Sequence, residues 1–247
     1  MSADRPDQAA EPGMTFSVKD GVGLLTLDRP AKHNALSTRM RSTLLEILEA
    51  IGTDNSVRVV VLRGNGPSFC AGVDIKEARP PEPSKRNALW TREHDNLGAA
   101  IGCLPVPVVA VLRGNVLGRG LDLALAADLR IGTPEARLAY PEVERGMIVG
   151  GGGARRLVRL VGESRAMDMV LCGKILDGRT AHEWGLVTRL VDDSELEEAA
   201  LALAYRLAKQ PALATYMAKV TVRSALDASA AVGAWTDSAF NVLGLSE

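Results

Sequence analysis

The sequence predicts an α/β fold with buried strands, followed by an all-helical C-terminal segment. Strand-like and helix-like stretches alternate through the first part of the 247-residue chain, which is typical of α/β folds. Two runs, residues 57–62 and 108–112, are almost entirely apolar, as strands covered on both faces are. The pattern becomes helical from about residue 193, so we assign the α/β core to residues 14–192 and the helical segment to 193–247.

Early in the core, each predicted element has its own start or stop signal. A strand is predicted at residues 22–28, because Arg29-Pro30 ends the apolar run. Ser37 can cap a helix over about residues 38–51. The apolar residues of that helix share one face: Met40, Leu44, Ile47, Leu48 and Ile51.

The middle of the chain predicts loops that lead into helices. Residues 69–76 are predicted to form a loop that enters a helix, and the proline-rich residues 79–83 a surface loop. A helix is predicted from about residue 85 to residue 102. Glycine-rich residues 114–120 follow the second buried strand and lead into an apolar helix at 121–127.

The rest of the core contains short strands and then helices. Strand-like pieces lie near residues 129–132 and 137–140. Four consecutive glycines, residues 150–153, precede predicted helices at 154–161 and 163–172. The C-terminal segment, which we expect to pack on the body or on a neighbouring subunit, carries one apolar stripe: Leu196, Ala199, Ala200, Leu203 and Leu207.

Composition excludes several classes of protein. Lys and Arg total 29 against 30 Asp and Glu, and aromatic residues make up 4%, so neither a nucleic-acid groove nor a base-stacking platform is expected. No apolar run reaches the roughly 20 residues of a membrane span. Residues 1–13 lack the features of a signal peptide, and we interpret them as the disordered leader of a cytoplasmic protein.

Cysteine and histidine spacing predicts neither a disulfide framework nor a metal site. The three cysteines lie far apart and the three histidines form no metal-binding motif. Cys70 would be a nucleophile only beside a histidine, and we interpret it as a buried, inert thiol. The glycines of residues 114–120 do not make GxGxxG, so a nicotinamide-dependent dehydrogenase has poor support.

Two glycine-containing turns and two carboxylates are candidates for chemistry. Ala71-Gly72-Val73-Asp74 and Gly118-Arg119-Gly120 each place backbone N–H groups near a predicted helix start. Two such donors that converge would form an oxyanion hole, although each pattern alone favours an ordinary turn. Asp122 lies among small and apolar residues, where it could pair with Arg119 or transfer protons in a dry pocket. Glu142 is either an acidic residue in the first turn of a helix or the partner of Asp122 in acid–base chemistry.

Five segments, taken together and in order, resemble the enoyl-CoA hydratase/isomerase (crotonase) family. The resemblance runs from about residue 16 to 243, and its segments are LDRPAKHNALS (27–37), VVVLRGNGPSFCAGVDIKE (59–77), PVPVVAVLRGNVLGRGLDLALAADLRI (105–131), LAYPEVERGMIVGGGGARRLVRLVG (138–162) and MVLCGKILDGRTAHEWGLVTRLV (169–191). It implies a crotonase-like spiral of repeated ββα units with a C-terminal helical trimerisation segment. Homotrimers or hexamers are therefore expected.

The resemblance also implies the ligand and the roles of the site residues. The ligand would be an acyl-CoA thioester, so no cofactor is needed beyond the coenzyme A of the substrate. Val73 and Arg119 would donate backbone N–H groups to the thioester oxygen. Asp122 would deprotonate water for attack at C3, and Glu142 would protonate C2. This chain has Arg119 where the family has glycine, and Asp122 where the hydratases have glutamate and the dienoyl-CoA isomerases aspartate.

The resemblance places the CoA moiety near the loop at residues 29–34 and the start of the AGVD segment. The residues expected to contact CoA are Arg29, Lys32, His33, Ala71 and Lys76. The main functional hypothesis is hydration of 2-enoyl-CoA, or the reverse dehydration. The alternatives are an enoyl- or dienoyl-CoA isomerase and a non-catalytic acyl-CoA binding protein.

Overall fold

The computed structural model describes residues 5–8, 13–77 and 97–225. Its strands are β1 (Arg5–Gln8), β2 (Met14–Lys19), β3 (Val22–Leu27), β4 (Val59–Gly64), β5 (Val108–Leu112), β6 (Asn115–Leu117), β7 (Leu129–Gly132), β8 (Arg137–Ala139), β9 (Leu176–Asp177) and β10 (Arg189–Leu190). Its α-helices are α1 (Thr38–Thr53), α2 (Leu97–Cys103), α3 (Arg119–Ala126), α4 (Gly153–Val161), α5 (Glu163–Leu171), α6 (Gly178–Glu183), α7 (Leu196–Ala208) and α8 (Ala212–Ser224).

Two sheets organise the described residues. The larger sheet has the order β1-β2-β3-β4-β5-β7-β10, and its strands from β3 to β10 are parallel to one another. The smaller sheet has the order β6-β8-β9. Strands β4 and β5 are the two apolar runs of the sequence, and every residue of β5 is buried. The α/β prediction with buried strands is confirmed.

Both faces of the large sheet are covered. On one face, residues of α1, α2 and α3 join the main hydrophobic core. On the other face, α7 packs its apolar stripe against β3, β4, β5 and β7. The buried residues of α7 are Leu196, Ala200, Leu203 and Ala204. The first part of the C-terminal segment therefore packs on the body, which was one of its two expected locations.

Helix α8 is held to the body by charged side chains. The carboxylate of Asp128 accepts from Lys219 at 2.9 Å and from Arg223 at 2.6 Å. The same carboxylate accepts from the N–H of Val108 at 2.8 Å. No residue of α8 is buried, so these ion pairs fix the helix against the edge of the core.

Helix α1 confirms its predicted start and buried face. The side chain of Ser37 accepts a hydrogen bond from the N–H of Met40 at 3.1 Å, as a helix cap does. Four of the five predicted apolar residues are buried, and Ile47 is half-buried.

Several elements differ from the prediction. The sequence predicts no strand at β1 or β2, although β1 lies within residues 1–13 and pairs with β2. Nor does it predict β6 or the two-residue strands β9 and β10. Of the helix predicted at 85–102, the described part is α2, and the proline-rich loop at 79–83 lies outside the described residues.

The connections between the two sheets position the site. Single parallel β-bridges join Leu36 to Val73 and Cys70 to Val116. The N–H of Gly118 donates to Ala139 O at 2.9 Å. The two glycine turns and the chain that leaves β8 are thereby fixed next to one another. No helix of the described residues is both long and apolar enough to cross a membrane.

Candidate active site

A cleft lies where the two glycine turns meet the chain that follows β8. Its empty volume is about 240 Å³. The lining residues come from three separate parts of the sequence: Ala71, Gly72, Val73, Gly118, Arg119, Pro141, Glu142, Arg145 and Met147. Three of the four residues expected to carry the chemistry therefore line this cleft, namely Val73, Arg119 and Glu142.

The first glycine turn directs the N–H of Val73 away from its neighbouring chain. Leu36 donates to Gly72 O at 2.8 Å and accepts from the N–H of Asp74 at 2.9 Å. In a parallel bridge of this kind, the amide of the residue between those two points the other way. No described residue accepts a hydrogen bond from the Val73 N–H, which makes it a donor for a ligand in the cleft.

The second glycine turn places the start of α3 beside the first. A Cβ atom built on Gly72 would lie 3.6 Å from the Arg119 nitrogen, so the two turns are in close approach. Arg119 is the first residue of α3, and first-turn amides are not used in a helix's own hydrogen bonding. The helix dipole adds partial positive charge there. The two residues expected to donate backbone amides therefore lie close together, and their role as donors stays a prediction.

Glu142 is the carboxylate that faces the cleft. Its Oε2 atom is buried and has no hydrogen-bond partner among the described residues. Burial raises the pKa of Glu142 to about 7, and the nearby charge of Asp122 acts in the same direction. A hydrogen bond from the backbone N–H of Glu142 itself lowers this pKa, as do the charges of Arg119 and Arg145 with weaker effects. A carboxyl group with a pKa near neutrality can both accept and return a proton at neutral pH.

Gly118 makes room for this carboxylate. A Cβ at position 118 would lie 2.5 Å from Glu142 Oε1. The backbone at Gly118 also has φ of 51°, which glycine adopts without the steric cost of a side chain. The glycine before Arg119 is therefore required by both the turn and the position of Glu142.

Asp122 lies behind the cleft and is not among its lining residues. Its side chain is 3% exposed. Tyr140 donates its hydroxyl proton to Asp122 Oδ1 at 2.8 Å, and Arg119 Nη1 lies 3.3 Å from Oδ2. The salt bridge weighed in the sequence analysis is thus present. Tyr140 is fully buried, and burial together with the Asp122 charge raises its pKa well above the usual range.

The four-glycine run covers Asp122 and Arg119. A Cβ on Gly153 would collide with Asp122 Oδ1, and a Cβ on Gly151 would collide with Arg119 Nη1. Arg156 fixes the run by donating to Gly151 O at 2.7 Å. Only a chain without side chains at these positions can pack this closely over the ion pair.

The residues expected to contact CoA lie on two neighbouring segments. The N–H of Ala71 donates to His33 O at 2.9 Å, which joins the segments. Arg29 Nη1 pairs with Asp74 Oδ2 at 2.7 Å, so part of its charge is already used within the protein. Lys32 and Lys76 are exposed. Their roles in CoA binding stay predictions.

Other candidate groups do not contribute to the cleft. Burial raises the pKa of the Cys70 thiol to about 12, which agrees with the inert thiol predicted from the sequence. Within residues 5–8, 13–77 and 97–225, no group of three or more His, Cys, Asp and Glu side chains is arranged to hold a metal ion.

Sequence reasoning missed Tyr140 and the glycines that cover Asp122. Tyr140 directly precedes Pro141-Glu142, and this position was its signal in the sequence. A tyrosine hydroxyl that is buried beside such a site needs a hydrogen-bond partner. The four-glycine run was noted only as the start of a helix. Its close approach to Asp122 depends on how α4 packs on α3, which no local pattern contains.

The site brings the backbone amides of Val73 and Arg119 close to a partly buried carboxyl group, an arrangement that suits acid–base chemistry on a carbonyl compound. The family model described as enoyl-CoA hydratase/isomerase matches residues 17–239. The chain belongs to that family, and the resemblance stated from its motifs is confirmed.

Named relatives of this chain include both hydratases and isomerases. The 2,3-dehydroadipyl-CoA hydratase of Escherichia coli is 35% identical over 220 residues, covering 89% of this chain and 85% of the relative. The 1,2-epoxyphenylacetyl-CoA isomerase of the same organism is 34% identical over 211 residues, covering 84% and 80%. An enoyl-CoA hydratase subunit of Geobacillus kaustophilus superposes with a TM-score of 0.91 at 31% identity, covering 97% and 92% of the two chains. The crotonase fold is confirmed.

Proposed function

We propose that the protein adds water to the 2,3 double bond of 2-enoyl-CoA thioesters, or catalyses the reverse dehydration, with Glu142 as the proton-transferring group. The observation that carries this proposal is the partly buried Glu142 carboxyl group, whose Oε2 atom has no hydrogen-bond partner among the described residues, in a cleft that Val73 and Arg119 also line. Membership of the family supports an acyl-CoA thioester as the substrate.

The amide donors would polarise the thioester. The carbonyl oxygen accepts hydrogen bonds from the N–H groups of Val73 and Arg119, as the resemblance implies. These bonds strengthen as negative charge develops on that oxygen, so they stabilise the enolate-like transition state more than the substrate. Withdrawal of electrons towards the oxygen makes C3 electrophilic.

Glu142 would carry the proton through one balanced cycle. Its ionised carboxylate removes a proton from water while the water oxygen bonds to C3. The same proton, or one exchanged for it, then passes from Glu142 to C2, and the carboxylate is restored. One molecule of water is added and no other reactant is needed.

Isomerisation is the second candidate, and the position of Asp122 favours it. Hydration in the form first expected uses two carboxylates, but Asp122 is closed off behind the cleft. A single carboxylate suffices to remove a proton from C2 of a 3-enoyl-CoA and return it to C4. The isomerase among the relatives adds support for this alternative.

The remaining expectations stay predictions. The family membership supports acyl-CoA as partner, with the loop at residues 29–34 beside the AGVD segment as the place for CoA. Assembly into homotrimers or hexamers and a cytoplasmic location are implied by the resemblance alone.

A mass-resolved assay with short and medium 2-enoyl-CoA substrates tests the proposal. We expect the wild-type protein to add the mass of one water. Glu142→Gln should lower kcat by about 10²–10⁴-fold, the range of general acid–base catalysis, while acyl-CoA binding measured by calorimetry persists. Glu144→Gln is the matched control, because Glu144 is exposed and does not line the cleft.

Three outcomes separate the alternatives. Addition of water that is lost in Glu142→Gln supports the hydratase. Rearrangement of 3-enoyl-CoA without a change in mass, lost in the same variant, replaces hydration with isomerisation. Binding without turnover on either substrate class would leave only an acyl-CoA binding role and would overturn the proposal.

A further inference from the structure

We propose that Asp122 is a positioning residue, which holds the Arg119 guanidinium against the glycine run and so keeps it from pairing with Glu142. This inference rests on the proposed function, since it concerns the availability of Glu142. It assigns Asp122 a role different from the water-activating base that the resemblance implied. It also gives a reason for the arginine that stands where the family has glycine.

The contacts of Asp122 leave it poorly placed to reach a substrate. One carboxylate oxygen accepts from Tyr140 and the other faces Arg119. Gly153 closes over the carboxylate so tightly that a Cβ there would collide with it. A carboxylate engaged by a hydroxyl and a guanidinium and 3% exposed is a firm anchor for a cation.

The cation that Asp122 holds is the guanidinium of Arg119. Arg119 lines the same cleft as Glu142, and its side chain is 10% exposed. Its positive charge already lowers the pKa of Glu142 in the observed arrangement. An arginine side chain is long and forms strong hydrogen bonds with carboxylates.

Glu142 offers a competing partner for that guanidinium. Its Oε2 atom is buried in the same region and has no hydrogen-bond partner among the described residues. Without the attraction of Asp122, the guanidinium could instead donate to this oxygen. Such a pair would hold Glu142 ionised and occupied, and the carboxylate would no longer be available to water or to C2.

The glycine run completes the hold on Arg119. A Cβ on Gly151 would collide with Arg119 Nη1 and lie 3.2 Å from Asp122 Oδ2. The absence of a side chain on Gly151 therefore leaves the space that the guanidinium occupies. The guanidinium lies between Asp122, which attracts it, and Gly151.

Suppression of one substitution by another tests the proposal. Asp122→Asn should lower kcat/KM on the enoyl-CoA substrate by up to about 10²–10⁴-fold, the range of general acid–base catalysis, because Glu142 would be occupied by the guanidinium. Adding Arg119→Ala to that variant should recover most of the loss, because the competing cation is gone while the backbone N–H of residue 119 remains. Arg119→Ala alone is the reference for the double variant.

The pH profile supplies a second readout when Arg119→Ala is compared in two backgrounds. In Asp122→Asn the limb of kcat/KM assigned to Glu142 should move to lower pH, because a negative charge is lost and a positive one comes closer. Arg119→Ala should raise that limb more in the Asp122→Asn background than in the wild-type background, because only there does the guanidinium pair with Glu142. Asp122→Glu, which keeps the charge, should retain more activity than Asp122→Asn.

A second substitution tests the contact between Asp122 and Arg119 without changing either residue. Gly151→Ala should displace the guanidinium and lower the rate in the same way, and Arg119→Ala should again restore it. Thermal unfolding of each variant identifies any that does not fold, and the test then rests on the other pair of variants.

The outcomes distinguish this inference from the proposed function. If the double variant is no more active than Asp122→Asn, then the loss of activity does not come from Arg119 and the inference is overturned. If Glu142→Gln retains full turnover, the proposed function fails, whatever Asp122 does. Loss of turnover in Glu142→Gln together with suppression by Arg119→Ala supports both.

Discussion

The two carboxylates of the site differ because their surroundings differ. Glu142 has a buried oxygen without a described partner, and burial raises its pKa to about 7. Asp122 is more deeply buried, yet Tyr140 and Arg119 both contact it. Burial without partners favours the neutral carboxylic acid, whereas donors and cations favour the carboxylate. Glu142 is thus suited to exchange a proton, whereas both oxygens of Asp122 are engaged by Tyr140 and Arg119.

The pKa of Glu142 predicts how catalysis depends on pH. The reaction begins with the ionised carboxylate taking a proton, so kcat/KM should rise with pH, reach half its maximum near pH 7 and level off above it. Steady-state rates between about pH 5 and 9 measure this, because kcat/KM reports ionisations of the free enzyme. Acyl-CoA binding over the same range is the control. A profile that falls with rising pH would assign Glu142 the opposite protonation state.

At the scale of elements, the start of α4 packs so closely on α3 that Gly153 has no room for a side chain. Gly153→Ala should destabilise the fold by about 1–3 kcal/mol, the usual cost of overpacking, because the new Cβ meets Asp122 Oδ1 and lies 2.6 Å from the Tyr140 hydroxyl. Thermal unfolding measures the effect, and about 2–4 °C per kcal/mol is expected for a chain of this size.

A glycine in an open position is the matched control for this prediction. Gly52 lies in the last turn of α1, and a Cβ there would meet nothing within 4 Å. Gly52→Ala should leave the stability unchanged or raise it by up to about 1 kcal/mol, because alanine is the better helix former. Equal effects of the two substitutions would contradict the close packing of α4 on α3.

Elements with a complete local signal were predictable, and those without one were not. The helix α1 has a capping serine and five apolar residues on one face, and both features are present in the structure. The strands β9 and β10 have two residues each, too few for any period to show. They form because the chain passes an edge whose backbone groups are open to pairing, which is a property of the tertiary structure.

At the scale of the whole molecule, the cleft depends on segments that are far apart in sequence. Residues 71–73, 118–119 and 141–147 meet in it, although some 70 residues separate the first from the last. The motifs of the family identified Val73, Arg119 and Glu142 because those residues keep their order and spacing. The closure of Asp122 was not predictable, since it follows from α4 packing on α3 around an arginine that the family pattern lacks.

The proposed function requires that Glu142 exchange a proton with the acyl group while two amides hold the thioester oxygen. Incorporation of deuterium at C2 of a saturated acyl-CoA in D₂O tests it directly, for hydratase and isomerase alike, because both require proton transfer between Glu142 and C2. Mass spectrometry should show exchange with the wild-type protein and with Glu144→Gln, and none with Glu142→Gln although binding persists. Undiminished exchange in Glu142→Gln would contradict the account.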